Sequence, residues 1–236
     1  MTMSQIDVSM SLAEMVDAYP GLAREFERRH LDYCCDGAQT LADACSRAGL
    51  DVDGVIEELS AVCRPAVPAS WSTMTADALV DHLVFTHHRY LWEELPRITA
   101  LVEKVLHVHG ARHPELTDIA ACYTTIRADL EPHLLKEERV LFPMIRELAR
   151  TDVSVEFHCG TLRNPIGVML REHDDVGALL ARLRTLTDGH TAPADGCATY
   201  QACFAAFAEL EADTHLHIHK ENNVLFPLVV RLESAR

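Results

Sequence analysis

The sequence lacks the features that mark membrane-spanning, secreted and nucleic-acid-binding chains. It has no run of 18 apolar residues, and its first twenty residues contain no basic stretch followed by an apolar one, so neither a spanning helix nor a signal peptide is expected. Basic residues are scarce: 21 Lys and Arg stand against 36 Asp and Glu, a net charge of −15. Binding to nucleic acid or to anionic membranes depends on clustered cations. We therefore expect a cytoplasmic protein that binds neither.

Strand patterns are missing as well, because no β-branched run alternates over more than a few residues. Four long stretches instead carry apolar residues at alternating spacings of three and four, which is typical of helices in a bundle. We predict an all-α fold, with an antiparallel, up-down four-helix bundle over residues 76–236. A small helical domain, residues 1–63, precedes it, and residues 64–75 form a linker. About 60 residues are marginal for an independent core, so this small domain should lean on the bundle.

Histidine, by contrast, is abundant, with 14 residues in 236. Each predicted bundle helix places one His on its core-facing line, and two of the helices add a Glu one turn later. These six residues are His88, His133, Glu137, His173, His217 and Glu221. A single His on an apolar face is more often a core residue than a ligand, but two buried carboxylates beside four imidazoles are costly without a cation. The pattern therefore predicts a metal site.

An internal repeat supports this prediction. Residues 133–143 (HLLKEERVLFP) and 217–227 (HIHKENNVLFP) are offset by 84 and identical at seven of eleven positions. The other two histidines, His88 and His173, precede these segments by 45 and 44 residues. Two hairpins related by a pseudo-twofold axis would thus bring four nitrogens and two carboxylates together. Such a set has more ligands than one tetrahedral zinc ion binds, and it is too rich in nitrogen for calcium or magnesium. Two transition-metal ions bridged by the glutamates therefore fit best.

The polar residues and cysteines near these positions are not expected to be metal ligands. His87 falls on the flank of its helix, and His82, His215 and His219 should be outer or surface groups. Lys136 and Lys220, which recur beside each Glu, are expected on solvated helix faces. Three cysteines in helical context, Cys122, Cys197 and Cys203, are expected in the core or at an interface.

The six residues, with their flanking strings KEERVLFP and ENNVLFP, resemble the hemerythrin-like domain. Three further segments extend the resemblance to the RIC family (repair of iron centres), over about residues 8 to 232: Leu31-Asp-Tyr-Cys-Cys-Asp-Gly37, His158-Cys-Gly160 and Asn164-Pro165-Ile166. Where the family usually has Gly after the paired cysteines, this chain has Asp36, whose charge should raise the pKa of the thiols.

This resemblance implies two non-haem iron ions, bridged by carboxylate and oxo groups. It implies repair of iron-sulfur clusters damaged by nitric oxide or oxidants, through iron donation, nitric oxide reduction or both. The partners would be nitric oxide or dioxygen and damaged iron-sulfur proteins, and a homodimer is left open. A His in the loop after the first bundle helix approaches the irons in this family, and His109 is the best match. The alternative is that His109 is a solvated loop residue.

The adjacent pair Cys34 and Cys35 allows two interpretations. Two small residues can simply pack at a turn of the small domain. Alternatively, the thiols can be nitrosylated or oxidised, or can hold an iron in transit. A disulfide between adjacent cysteines is strained, and the chain has no secretory signal, so we expect free thiols.

Two other functions remain as alternatives, and no catalytic residue is expected beyond the metal centre. The first is a hemerythrin-type carrier or sensor of oxygen or nitric oxide. The third helix of a carrier would bear a second His where this chain has Gly177, four residues after His173. The second is an iron store or adaptor that docks a partner through its acidic surface, and a store would load many ions instead of two.

Overall fold

The computed structural model describes residues 6–62, 70–151, 153 and 155–236. These residues form eight helices and no strand, with two isolated β-bridges in the connections. The prediction of an all-α fold is confirmed. Within these same ranges, no helix is both long and apolar enough to cross a membrane.

The small amino-terminal part consists of four short helices. They are α1 (Leu12–Ala18), α2 (Leu22–Arg28), α3 (Leu41–Ala48) and α4 (Val52–Val62). Helix α1 begins at a capping box, in which Ser11 and Glu14 each satisfy the other's backbone N–H. The apolar core of this part includes Ile218, which belongs to the last bundle helix. The small domain therefore shares its core with the bundle.

The predicted linker is only partly within the described residues, because 64–69 lie outside them. Ser70–Thr73 form one turn of 3₁₀ helix. The Trp71 Nε1–H group donates to Asp17 Oδ1 at 3.0 Å, and the Lys220 ammonium lies 4.4 Å from the centre of the Trp71 ring. This end of the segment is therefore bound both to α1 and to the bundle.

Four long helices form the bundle. Helix α5 comprises Ala76–Leu83, Val84–His88 and Arg89–His109; α6 comprises Leu116–Lys136, Glu137–Leu141 and Phe142–Arg150; α7 is Arg163–Leu186; α8 comprises Ala198–His219, Lys220–Leu225 and Phe226–Ser234. Consecutive helices pack side by side, and α8 closes the ring against α5.

The middle segments of α5, α6 and α8 are widened π-helical turns. In each, an N–H group donates to the carbonyl five residues earlier: Arg89 to Val84, Phe142 to Glu137, and Phe226 to Glu221. Two of these turns lie just before Pro143 and Pro227, whose rings clash with an α-helical carbonyl and which donate no hydrogen bond. Such π turns are frequent at functional sites, and each of these three contains a predicted metal ligand.

Two apolar layers fill the bundle above and below these turns. Leu91, Leu130, Leu180 and Phe207 belong to one layer, and Leu83, Phe142, Met169 and Phe226 to the other. The six predicted ligands lie between the layers, so the fold encloses a polar site in an apolar core.

Candidate metal centre

The structure brings all six predicted bundle ligands into one cluster. They form two groups of four, and both groups contain Glu137 and Glu221. His88 and His217 complete one group, which we call position A, and His133 and His173 complete the other, position B. Within each group the potential ligand atoms all lie within 4.8 Å of one another. Each histidine thus belongs to one position, whereas each glutamate belongs to both.

The side chains of the cluster face each other at close range. His88 Nε2 and His133 Nε2 lie 3.4 Å and 3.3 Å from Glu137 Oε2. His173 Nε2 and His217 Nε2 both lie 3.2 Å from the Glu221 carboxylate. Both glutamates are fully buried, at 0% exposure, and all four histidines are at 2% or less.

Several of these buried atoms have no hydrogen-bond partner. They include both oxygens of Glu137, both oxygens of Glu221 and the Nε2 atoms of His88 and His217. His133 Nε2 and His173 Nε2, moreover, point at each other at 3.1 Å. Unpartnered buried polar atoms are costly and rare. Cations at positions A and B would satisfy them, and the mixed imidazole and carboxylate donors suit transition metals, so the residues present fit a two-metal site.

The charges within the cluster are strongly coupled. Burial by itself lowers the pKa of His133, but the combined effect of Glu137, Glu221 and Glu172 outweighs it and raises this pKa to about 9. Burial likewise opposes ionisation of Glu137, yet His133 and His88 hold its pKa well below the ordinary value. Without metal, His133 therefore carries a proton at neutral pH. A cation binding there has to displace that proton, so its affinity rises with pH.

Three of the four histidines are oriented by partners outside the cluster. The Nδ1–H groups of His88, His133 and His173 donate to Glu138 at 3.0 Å, Glu172 at 2.9 Å and Asn222 at 2.7 Å, respectively. In the neutral imidazole each bond leaves the Nε2 lone pair directed into the site, as outer partners of metal-binding histidines do. Sequence reasoning missed these acceptors. The repeat could have revealed two of them, since Glu138 and Asn222 each follow a repeated Glu.

The fourth histidine, His217, has a different neighbour. The His87 ring stacks on it at 5.3 Å, donates through Nδ1 to Asp213 at 2.8 Å and accepts from Lys220 Nζ at 2.7 Å. The solvated position predicted for Lys220 is wrong, because this residue is 3% exposed. His87, predicted on the flank of its helix, is equally buried and belongs to neither group of potential ligands. Burial lowers the pKa of His87 to about 4 and that of Lys220 to about 8.

The paired cysteines lie against this cluster. Cys34 Sγ and Cys35 Sγ are 3.8 Å apart, and both backbone N–H groups donate to Asp32 Oδ1. The hydrogen bond with Cys35, burial and the Asp32 charge raise the pKa of Cys34 well above its ordinary value. Asp36, expected to have this effect, instead forms an ion pair with Arg47 at 2.9 Å.

Two contacts connect the cysteine segment to position B. Cys35 Sγ lies 3.8 Å from the place that a Cβ atom on Gly177 would occupy, one turn after His173. The Asn222 side chain accepts from His173 with its oxygen and donates with its nitrogen to the Cys34 carbonyl at 3.3 Å. One amide side chain thus separates the cysteine backbone from a predicted metal ligand.

The structure does not bring His109 to the cluster. This residue is the last of α5, which continues through the region expected to be a loop. The 21 residues from His88 to His109 correspond to about 30 Å along a continuous helix. His109 contacts Cys197 at 3.2 Å instead, so the expectation of a further ligand there is wrong.

Comparison with known proteins identifies the class to which this architecture belongs. Residues 79–229 match the family model of the Hemerythrin HHE cation binding domain. Residues 8–63 match ScdA_N, a domain of unknown function. The bundle with its buried cluster is therefore a hemerythrin-type cation-binding domain.

Relatives that match nearly the whole chain narrow the class to one family. An "Iron-sulfur cluster repair protein YtfE" of Musicola paradisiaca is 37% identical over 227 residues, which covers 95% of this chain and 97% of the relative. Proteins of the same name from Enterobacter sp. (strain 638) and Escherichia coli O1:K1 are 36% and 33% identical over 216 residues, covering 92% of this chain and 94% of each relative. The chain belongs to the YtfE family, and the resemblance stated from the sequence is confirmed.

Proposed function

We propose that this protein repairs iron-sulfur clusters damaged by nitric oxide or oxidative stress, in the cytoplasm, with two iron ions held by the bundle. Relatives that are 33 to 37% identical over more than nine-tenths of the chain are named for such repair. The observation that carries the metal part of the proposal is the pair of donor groups that share Glu137 and Glu221. Two groups sharing two carboxylates accommodate two ions.

The choice of iron comes from the family, because affinity order alone would favour zinc. Each position offers two imidazoles and the two shared carboxylates, which leaves room in an octahedral coordination sphere. Bound iron would supply redox chemistry and open sites for nitric oxide or dioxygen. The protein's part is to hold four Nε2 atoms inward and to exclude water with the apolar layers on either side.

We further propose that Cys34 and Cys35, together with Asp32, form a transient binding site for iron that moves between the bundle and a damaged iron-sulfur cluster. The potential ligand atoms of these three residues lie within 4.8 Å of one another, beside a cavity of about 130 Å³. The raised pKa keeps Cys34 protonated at neutral pH, which makes it a poor nucleophile. A metal ion can displace that proton, so transfer of iron suits this pair better than nucleophilic thiol chemistry.

The contact between Cys35 and Gly177 bears on the alternative of an oxygen carrier or sensor. A carrier would place an additional imidazole at this helical position. Here the residue is Gly177, and the Cys35 sulfur lies 3.8 Å from its Cβ position, within ordinary van der Waals contact. The absence of an imidazole at this position favours repair over reversible oxygen carriage.

Repair can proceed by iron donation, by nitric oxide reduction or by both, and one experiment separates them. A purified protein carrying a nitric-oxide-damaged iron-sulfur cluster serves as the partner, and recovery of its cluster absorbance is measured alongside nitrous oxide production. We expect His133→Ala and Glu221→Ala to lose bound iron and repair together. The Cys34→Ser and Cys35→Ser variants should keep two irons and reduce nitric oxide normally, but repair the partner more slowly.

The proposal is tested by measuring the iron content and the repair activity of each variant. The exposed Asp175→Asn change on α7 serves as the control and should leave both unchanged. Full repair by His133→Ala and Glu221→Ala variants that have lost their iron would overturn it. Loading of many irons per chain would indicate a store, and a reversible dioxygen spectrum would indicate a carrier. Sedimentation of the loaded protein tests the homodimer.

A further inference from the structure

A second group of reactive side chains lies at the end of the bundle remote from the metal centre. Cys197 immediately precedes the first residue of α8, and His109 is the last residue of α5. Each lies about 30 Å along its helix from the ligand on the same helix, His217 or His88, respectively. Because of this separation, the chemistry of the pair is independent of the ligands at positions A and B.

The two side chains form a close contact between a thiol and an imidazole. His109 is 3% exposed, and its Nε2 atom lies 3.2 Å from Cys197 Sγ. The sulfur itself belongs to an exposed residue, so a core position, one of the two alternatives expected for Cys197, is wrong. The imidazole is held by the Tyr200 ring, whose centre lies 5.2 Å away. A buried imidazole thus points at a sulfur atom that solvent reaches.

The surroundings of the thiol favour its ionised form. The hydrogen bond with His109, together with the backbone N–H groups of Tyr200 and Thr199, lowers the pKa of Cys197 to about 7. The start of a helix adds a partial positive charge. Cys203, six residues later on the same helix, is the opposite case, because burial raises its pKa to about 12.

The neighbouring charges largely balance one another. His113 bridges Glu115 at 3.0 Å and Asp195 at 3.2 Å. Arg112 lies 3.8 Å from Asp195 and 3.5 Å from His109 Nδ1. A guanidinium only donates, so this contact favours the tautomer in which His109 Nε2 carries the proton and faces the sulfur.

We propose that Cys197 and His109 form a thiolate-imidazole pair that is modified by low-molecular-weight disulfides. The Cys197 thiolate attacks one sulfur of the disulfide, a new S–S bond forms, the original S–S bond breaks, and the other half leaves as a thiolate that takes a proton from solvent. The Cys197 sulfur is oxidised to the disulfide level, and the departing half is reduced to a thiol. The attached group would extend from Cys197, which is exposed.

The test uses the full-length, iron-loaded protein and oxidised glutathione as the probe. Peptide mass spectrometry should locate the mixed disulfide on Cys197. The rate of alkylation of Cys197 by iodoacetamide, followed by the same method, should rise with pH around a midpoint near 7. We expect His109→Asn to slow alkylation at pH 7 about tenfold, because the thiol pKa returns toward that of a free cysteine.

The matched control is His107→Asn, an exposed histidine two residues earlier on the same helix. It should leave the alkylation profile unchanged, while Cys197→Ser should remove the adduct. A midpoint above 8 in the unsubstituted protein would overturn the proposal without any variant being made. Equal rates for His109→Asn and His107→Asn, with iron content and circular dichroism unchanged, would overturn it as well.

Discussion

The two hairpins of the bundle are built on one repeat, but their outer residues differ. His133 and His217 lie 84 residues apart in equivalent places, as do Lys136 and Lys220. On the first hairpin, the His133 Nδ1–H group donates to Glu172 of the second hairpin, and Lys136 forms an ion pair with the same carboxylate. The imidazole therefore has a charged acceptor, which raises its basicity toward a metal.

For His217, which lies on the second hairpin, a histidine of the first hairpin stands in the place of that carboxylate. Glu172 immediately precedes His173, and His87 likewise precedes His88. Instead of accepting from His217, the His87 ring stacks on it, and His217 Nδ1 has no hydrogen-bond partner. The two halves of the repeat therefore share their predicted metal ligands but differ in the residues that contact those ligands from outside. We therefore expect the two metal positions to be unequal, with the ion at position A held more weakly.

The largest effect should come from the carboxylates that both positions share. Glu221→Ala removes a donor from both ions, so we expect the loss of both and a fall in affinity of more than about 100-fold, because even outer partners of metal ligands contribute about 10- to 100-fold. His217→Ala should affect position A alone. Iron per chain, measured by elemental analysis during titration with a chelator, distinguishes the two.

The control for this prediction is Glu209→Ala, an exposed carboxylate on the same helix. It should bind two irons with unchanged affinity. Retention of two tightly bound irons by Glu221→Ala would mean that the glutamate is not shared.

A smaller effect is expected when the surroundings of His133 are made to resemble those of His217. Glu172→Gln removes the charged acceptor of His133, so the ion at position B should bind about 10- to 100-fold more weakly. The two ions should then leave at more similar chelator concentrations. Asp175→Asn makes the same change of charge at an exposed site of α7 and should change the affinity less than twofold. If Glu172→Gln released its ions at the same chelator concentrations as the unsubstituted protein, the expected difference in affinity between positions A and B would have no basis.

The smallest effect should distinguish the two lysines. Lys220 is buried between His87 and the Trp71 ring, whereas the Lys136 side chain is 44% exposed. In the metal-free protein, Lys220→Ala should lower the free energy of unfolding by about 1 to 3 kcal/mol, and Lys136→Ala by less than about 1 kcal/mol. Urea denaturation measures both. In a Trp71→Leu background, Lys220→Ala should lower the free energy of unfolding by a smaller amount. An equal decrease in both backgrounds would show that the contact between Lys220 and the Trp71 ring does not contribute to stability.

The ligands could be predicted from the sequence because they obey local rules. A spacing of four places His133 and Glu137 on one face of a helix, and the repeat gives the same pair again at His217 and Glu221. Helical periodicity also identified His88 and His173 as core-facing. These inferences need only the 3.6-residue period and the cost of burying charge.

The errors concern a helix end and contacts between separate segments of the chain. His109, expected in a loop beside the metal site, is instead the last residue of α5, about 30 Å along the helix from His88. Lys220 has a neighbour in the linker, Trp71, that no periodicity could indicate. Cys197 is exposed because the loop at the start of α8 leaves it beside the end of α5.

By itself, then, the sequence determined the fold class, the four helices and the six residues that face their common axis. Helical period, breakers and repetition are properties of nearby residues, so they can be read along the chain. The packing of separate helices decides which acceptors His88, His133 and His173 receive, that Asn222 connects His173 to the Cys34 segment, and that His217 has a stacked ring where His133 has a carboxylate. Those features depend on the rotation and depth at which separate helices meet, and hydrogen bonds a few ångströms long are formed or lost by small changes in that packing.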